Sequence, residues 1–122
     1  MIDPNFVLLY VANPVASAAF YADLLGKAPI EVSLGFAMFA LDSGIKLGLW
    51  ARDGVEPCAD APCGSGELAF SLNSDAAVTA TYADWTARGM RVIQPPTRMD
   101  FGHTFVAQDP DGHRLRVFAP AA

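Results

Sequence analysis

Apolar residues in the first half of the chain are spaced as expected for one strand, one helix and three short strands. The run "FVLLYVA" (Phe6–Ala12) is uninterrupted, β-branched and aromatic, which is typical of a buried strand. In the next segment Asn13 can cap a helix, Pro14 fits its first turn and Gly26 can end it. Its packed face is predicted to contain Ala16, Phe20 and Leu24, with Tyr21 beside them. Three strands are predicted near residues 29–32, 36–41 and 45–51.

The second half repeats this order after a segment that is rich in Gly and Pro and has no apolar period. The run "GELAFSLN" predicts a strand. The helix that follows is predicted to begin after Ser74 and stop at Gly89, with Val78, Tyr82 and Trp85 on its packed face. Three strands are predicted near residues 91–94, 103–108 and 114–118, with a turn at "DPDGH" before the last of them.

The two halves also share residues. "FYADLLGKAP" and "TYADWTARGM" both contain Tyr-Ala-Asp, and Tyr21 and Tyr82 are 61 positions apart. The same offset places apolar strand positions on apolar positions and the cap Asn13 on the cap Ser74. The chain is therefore predicted to be one domain, residues 1–122, made of two βαβββ modules over about residues 4–52 and 66–120, with a linker over about 53–65.

Composition and charge exclude several classes of partner. Apolar residues make up 52% of the chain, which is enough to fill a core, and the net charge is −5 without a basic cluster. Nucleic acids and anionic membranes are therefore poor partners. The apolar runs are too short to cross a bilayer, and the segment "MIDPNF" does not look like a secretory signal, so a cytoplasmic location is expected. Cys58 and Cys63 are expected to be free loop thiols, although a disulfide is sterically possible and their redox state stays open.

The segments "FYADLLG" and "FGHTFVAQDPDGHRLRVF" resemble the vicinal oxygen chelate superfamily, which includes glyoxalase I, extradiol dioxygenases and bleomycin-resistance proteins. Within it, "FGHTFVAQDPDGHRLRV" and "LGLW" are similar to phenazine antibiotic resistance proteins. The resemblance implies an α+β fold in which tandem βαβββ modules form a curled mixed sheet around a cleft, usually in a homodimer. Whether that cleft closes within one chain or across two stays open.

The resemblance also implies four metal-ligand positions, which in the family's enzymes typically hold His, Gln or Glu. They correspond here to Phe6, Gly48, Glu67 and Arg116, and the repeat relates the first pair to the second. Only Glu67 has a side chain that can bind a metal, and Arg116 would repel a cation. We therefore expect no metal and no cofactor, and an ion pair between Glu67 and Arg116 in the place of the metal.

Strand alternation extends this site to aromatic residues. Trp50 shares a strand face with Gly48, and Phe118 shares one with Arg116, so both are expected in the cleft together with Phe6. Gly48 is expected to leave room for a flat group against the Trp50 indole. Phe39, Met99 and Phe101 are expected to complete the wall, with His103 beside it, while His113 is expected to be solvated in its turn.

These residues predict a metal-free protein that sequesters a planar aromatic metabolite or antibiotic. Trp50 would stack on the ligand, and Arg116 and His103 would meet its carboxylate or carbonyl. The alternative is a lyase, isomerase or dioxygenase with an atypical site that uses Glu67. A structural subunit without a small ligand is a third hypothesis. The sequence identifies neither the ligand nor any turnover.

Overall fold

The protein is described here by a computed structural model over residues 2–60 and 66–121. The chain divides into two compact units, Met1–Ala61 and Pro62–Ala122. Cys58 is an exposed free thiol, while Cys63 lies outside the described residues. No helix within the described ranges is long and apolar enough to cross a membrane.

Each unit contains one helix and four strands. The elements of unit 1 are β1 (Phe6–Val11), α1 (Pro14–Leu25), β2 (Glu31–Val32), β3 (Phe36–Ala40) and β4 (Lys46–Ala51), followed by a short 3-10 turn over Arg52–Gly54. The elements of unit 2 are β5 (Glu67–Ser71), α2 (Asp75–Ala87), β6 (Arg91–Met99), β7 (Gly102–Gln108) and β8 (Arg114–Pro120).

The two sheets have the same topology. The strand order is β1-β4-β3-β2 in unit 1 and β5-β8-β7-β6 in unit 2. The first strand pairs in parallel with the last strand of its unit, and the remaining pairs are antiparallel. Because each parallel pair needs a crossover connection, the helix covers one face of its own sheet. The α+β class and the tandem βαβββ order predicted from the sequence are confirmed.

Both helices begin at the predicted caps. The Asn13 side chain accepts hydrogen bonds from the backbone N–H of Val15 at 3.1 Å and of Ala16 at 3.2 Å. Gly26 ends α1 with φ of 67°, a conformation in which a side chain would be strained. Ser74 Oγ accepts from the backbone N–H of Ala77 at 3.1 Å at the start of α2. The contacts of Asn13 and Ser74 satisfy backbone N–H groups that the first turn of each helix leaves unpaired.

The packed face of α1 differs from the prediction. Ala16 is exposed and Phe20 is only half-buried. The buried residues of this helix are instead Pro14, Ser17, Ala18 and Tyr21. The segment "PVASAAFYADLL" is apolar on most sides, so a four-residue spacing fits more than one face and cannot choose between them.

The predicted face of α2 is confirmed. Trp85 packs edge-to-face against Phe70 at 5.8 Å and Phe105 at 5.4 Å between ring centroids, and Tyr82 also contacts Phe105 at 5.4 Å. Beside this helix, β6 is longer than the predicted strand, which stopped at Gln94. It continues because register shifts around Gln94 and Thr97 take the two intervening prolines out of the regular ladder.

Candidate functional site

The sheet face of unit 1 that α1 leaves uncovered carries two of the aromatic residues predicted for the site, Phe6 and Trp50. Cross-strand register places Tyr10 opposite Trp50, and Trp50 opposite Phe36. Two residues earlier on the same two strands, Leu8 lies opposite Gly48. Directly opposite residues project to the same side of a sheet, so the aromatic and aliphatic side chains of three strands meet on this face.

This face contains an open pocket of about 500 Å³, within the range of sites that hold small molecules. The residues that line it are Phe6, Leu8, Glu31, Phe36 and Trp50. Phe6 and Leu8 keep 40% and 44% of their surface exposed, so large apolar side chains meet solvent there. Tyr10 packs edge-to-face against Trp50, with ring centroids 6.4 Å apart. The indole is thereby supported on one side and half-buried.

Gly48 has a different role from the one expected. A Cβ at this position would lie 2.6 Å from Leu8 Cδ2, 2.9 Å from a ring carbon of Phe6 and 3.0 Å from a ring carbon of Phe36. The space that the missing side chain leaves is therefore filled by the protein's own residues and is not left open for a ligand. Gly48 lets these three side chains converge beside Trp50.

The prediction that Phe39 shares this face is wrong. Phe39 pairs with Leu47, whose parity is opposite to that of Gly48, and both side chains are at most 1% exposed. They lie on the sheet face that α1 covers, since α1 contacts β3 and β4. Phe39 is a core residue because successive residues of a strand point to opposite sides.

Three lining residues were not predicted from the sequence: Leu8, Glu31 and Phe36. Leu8 could have been found by strand alternation, because it lies two residues after Phe6 on the same strand. Phe36 required the register of β3 with β4, and Glu31 required the register of β2 with β3. Glu31 lies opposite Met38 on a strand of only two residues, which carries no detectable period.

The corresponding face of unit 2 holds the predicted ion pair. Arg116 Nε donates to Glu67 Oε1 at 2.8 Å, and Nη2 donates to Oε2 at 3.1 Å. The remaining Nη1 donates to Thr104 Oγ1 at 3.2 Å, and this buried hydroxyl donates to the Val117 carbonyl at 2.9 Å. The prediction of a Glu67–Arg116 pair is confirmed. Three of the five guanidinium N–H groups are therefore engaged within the protein, two of them by the Glu67 carboxylate.

Two further predicted residues surround this pair. Phe101 and Phe118 meet edge-to-face with ring centroids 5.9 Å apart. The Arg116 guanidinium carbon lies 5.7 Å from the centre of the Phe101 ring, which is within cation–π range. Phe101 remains 43% exposed. The structure therefore brings four of the predicted residues of unit 2 into one cluster, Glu67, Phe101, Arg116 and Phe118.

The prediction that His103 joins this cluster is wrong. His103 pairs with Ala119, while Thr104 pairs with Phe118, so His103 projects to the opposite face of the sheet. His113 also differs from the solvated residue that was expected, because its side chain is only 13% exposed.

His113 belongs to a turn closed by Asp109. Asp109 Oδ1 accepts from the backbone N–H of Asp111 at 2.9 Å and of His113 at 2.8 Å. His113 Nδ1 lies 2.9 Å from Asp109 Oδ2. Asp109, Asp111 and His113 bring possible metal-ligand atoms within 4.8 Å of one another. Their hydrogen bonds are those of a β-turn between β7 and β8, and this accounts for the cluster.

The four family positions do not fit a metal ion. Phe6 and Gly48 have no donor atom, and Arg116 brings a positive charge. Both carboxylate oxygens of Glu67 are engaged by that guanidinium. A catalytic zinc site has three protein donors of N, O or S type. No reaction step through such an ion is supported by these side chains.

The hydrogen bond from Arg116 holds the pKa of the Glu67 carboxyl below its ordinary value of 4.5, against the opposing effect of burial. A lowered pKa in the folded state means that the ionised carboxylate stabilises the fold above the unfolded value. That stabilisation is lost as the pH falls below about 4.5 and through the folded pKa.

We expect Glu67→Gln to lower the free energy of unfolding by about 1 kcal/mol at neutral pH. It should also reduce the loss of stability on acidification below about 4.5, because the titrating group is gone. Urea unfolding followed by circular dichroism across this pH range measures both effects. Glu56→Gln, at an exposed carboxylate, is the matched control. An acid profile identical in wild type and Glu67→Gln would contradict the prediction.

Known proteins resemble the chain over almost all of its length. Residues 4–117 match the family model of the glyoxalase/bleomycin resistance protein/dioxygenase superfamily. The phenazine antibiotic resistance protein EhpR of Enterobacter agglomerans is 34% identical over 119 residues, which cover 95% of this chain and 91% of that protein. A protein of Agrobacterium tumefaciens solved by NMR is 52% identical with a TM-score of 0.91, and the match covers 100% of both chains. A glyoxalase/bleomycin resistance protein/dioxygenase from Nocardioides is 26% identical with a TM-score of 0.82 and covers 98% of this chain and 84% of its own.

Proposed function

This chain belongs to the glyoxalase/bleomycin resistance protein/dioxygenase superfamily, and we propose that it is a metal-free binding protein for a planar aromatic small molecule. Its role would be of the drug-resistance type, in which the protein sequesters its ligand. The observation that carries this proposal is the open pocket of unit 1, where apolar side chains surround a half-buried indole. The membership itself confirms the resemblance inferred from the sequence.

The chemistry of the pocket favours a flat and conjugated ligand. Three of the residues that line it are aromatic, Phe6, Phe36 and Trp50, and a fourth is Leu8. Aromatic rings gain from offset or edge-to-face contact with another ring beyond the burial of apolar area. An extended apolar ligand would also cover Phe6 and Leu8, whose exposed surface is otherwise hydrated at a cost.

The similarity to EhpR supports the resistance-type role. That relative is a phenazine antibiotic resistance protein, and phenazine is a planar tricyclic aromatic compound. The identity of 34% extends over nearly the whole of both chains, so the likeness is not confined to one segment. A planar tricyclic ligand also fits within the pocket volume of about 500 Å³. The homodimer and the cytoplasmic location implied by the resemblance stay predictions.

The enzymatic alternative is less well supported by the side chains. It requires Glu67 to accept a proton or to hold a metal, but both of its oxygens accept hydrogen bonds from Arg116. Its lowered pKa makes the carboxylate a weaker base. We therefore assign the Glu67–Arg116 pair a structural role on the sheet of unit 2.

Fluorescence of Trp50 tests the proposal directly. Trp85→Phe leaves Trp50 as the remaining indole and keeps an aromatic ring between Phe70 and Phe105. Titration with acridine, an uncharged tricyclic probe, is expected to quench the emission of Trp50 and to saturate, because a ring stacked on the indole changes its surroundings. Emission that stays unchanged while calorimetry detects no heat of binding would overturn the proposed function.

A further inference from the structure

We propose that the pocket of unit 1 selects aromatic ligands that carry a positive charge, and that Glu31 is the residue that distinguishes them from anionic ligands. This inference rests on the proposed function, because it specifies the ligand class of the same pocket. Among the described residues that line the pocket, Glu31 is the only one with a charge. The other lining residues are aromatic or aliphatic, so the Glu31 carboxylate determines the charge of the pocket lining.

The position of Glu31 places its charge at one side of the aromatic surface. Glu31 lies on β2, the edge strand of the sheet, opposite Met38. Phe36 and Trp50 occupy the next strands inward, and Phe6 and Leu8 lie on the far edge strand β1. A flat ligand that covers the aromatic residues can therefore direct a substituent towards β2 and its carboxylate.

Two physical effects favour a cation at this place. The exposed Glu31 carboxylate attracts a positive substituent directly. The faces of Trp50 and the two phenylalanines attract a charge delocalised over the ligand ring, an effect worth about 0.5–1 kcal/mol at exposed sites. Both effects have the same sign, and both work against an anionic ligand.

The basic residues of unit 1, Lys27, Lys46 and Arg52, are not among the described residues that line the pocket. Lys27 Nζ is engaged by Asp42 Oδ1 at 2.7 Å and by the Ala40 carbonyl at 2.8 Å. Lys46 lies on β4, two strands from β2, and the Cα atoms of Lys46 and Glu31 are about 12 Å apart by strand geometry. Arg52 donates to the Ala59 carbonyl at 3.4 Å.

The overall charge of the unit adds to the local effect. Residues 1–61 contain seven acidic and three basic side chains, so they hold −4 of the chain's net charge of −5. The guanidinium expected to receive a ligand carboxylate, Arg116, is in unit 2 and bound to Glu67. An anionic ligand in the pocket of unit 1 would thus meet repulsion without a basic partner among the residues that line it.

Three tricyclic probes of nearly the same shape test the proposal: 9-aminoacridine, which is cationic, acridine, which is uncharged at mildly alkaline pH, and the anion acridine-9-carboxylate. Dissociation constants are measured by calorimetry with the full chain. We expect the cation to bind roughly tenfold more tightly than the anion, since two favourable effects of modest size combine. Added salt should reduce this ratio.

Glu31→Gln isolates the carboxylate with little change in shape. This variant is expected to weaken binding of 9-aminoacridine about threefold relative to acridine, as an exposed charge pair predicts. Glu56→Gln removes the same charge from a residue that does not line the pocket and should leave the ratio of cation to anion unchanged. The fold is checked by circular dichroism for both variants.

The outcomes separate this inference from the function on which it rests. Equal binding of the three probes, or a cation-to-anion ratio that Glu31→Gln leaves unchanged, overturns the charge selectivity while the aromatic binding function stands. Tighter binding of the anion also overturns it. Absence of binding by all three probes overturns the proposed function together with the inference.

Discussion

Trp50→Ala is expected to weaken the binding of acridine by about 2 kcal/mol, or roughly 30-fold in the dissociation constant, because it removes both apolar area and a stacked ring. Trp50 is the largest side chain that lines the pocket, and Tyr10 supports its ring at 6.4 Å. Calorimetry measures the affinity, since the variant has lost the fluorescent reporter.

Trp50→Phe is the matched control for this prediction. It keeps an aromatic face in the pocket but reduces its area, so it should recover a part of the lost affinity. The stability of both variants is expected to change less than their affinity, because Trp50 is half-buried. An affinity for acridine within twofold of wild type in Trp50→Ala would contradict this account of the site.

Phe39→Ala is expected to lower the free energy of unfolding by about 3–5 kcal/mol, the range found when a buried phenylalanine is truncated. Phe39 has 0% exposure and lies beneath α1. The loss combines the transfer of its ring with the cavity that remains, since a packed core relaxes only in part. Urea denaturation measures the change, and the affinity of the remaining folded protein for acridine should stay close to that of wild type.

Phe36→Ala is the matched control for this prediction. Phe36 and Phe39 lie on the same strand, but Phe36 pairs with Trp50 and lines the pocket. Its truncation should reduce affinity more and stability less than the truncation of Phe39, because Phe36 is half-buried. If Phe39→Ala reduced affinity while leaving stability unchanged, the assignment of the two sheet faces would be wrong.

The two units differ at the four metal-ligand positions that the family resemblance implies. In unit 1 the positions hold Phe6 and Gly48, and the phenylalanine ring comes so close that a Cβ on Gly48 would lie 2.9 Å from it. In unit 2 they hold Glu67 and Arg116, which form an ion pair with two hydrogen bonds. Neither pair retains a set of free donors. The result in unit 1 is an apolar surface, and the result in unit 2 is an ion pair without net charge.

The sequence by itself determined the order and the ends of most elements. Asn13, Ser74 and Gly26 mark helix ends because capping depends on local hydrogen bonds and on backbone conformation near the residue itself. The repeat was also visible, since a duplicated unit preserves its pattern of strands and caps along the chain. Spacing of the two halves, combined with the family resemblance, identified Glu67 and Arg116 as partners although they are 49 residues apart.

The tertiary structure decided which side chains meet at each face. Phe39 and His103 were assigned to the wrong side because the side of a strand residue depends on register and on which face the helix covers, and a shift of one residue reverses both. Phe36 lines the pocket through the pairing of β3 with β4, and Glu31 through the pairing of β2, a strand of two residues, with β3. The role of Gly48 also could not be predicted from the sequence, because only the packing shows whether the space beside a glycine is empty or filled by neighbouring side chains.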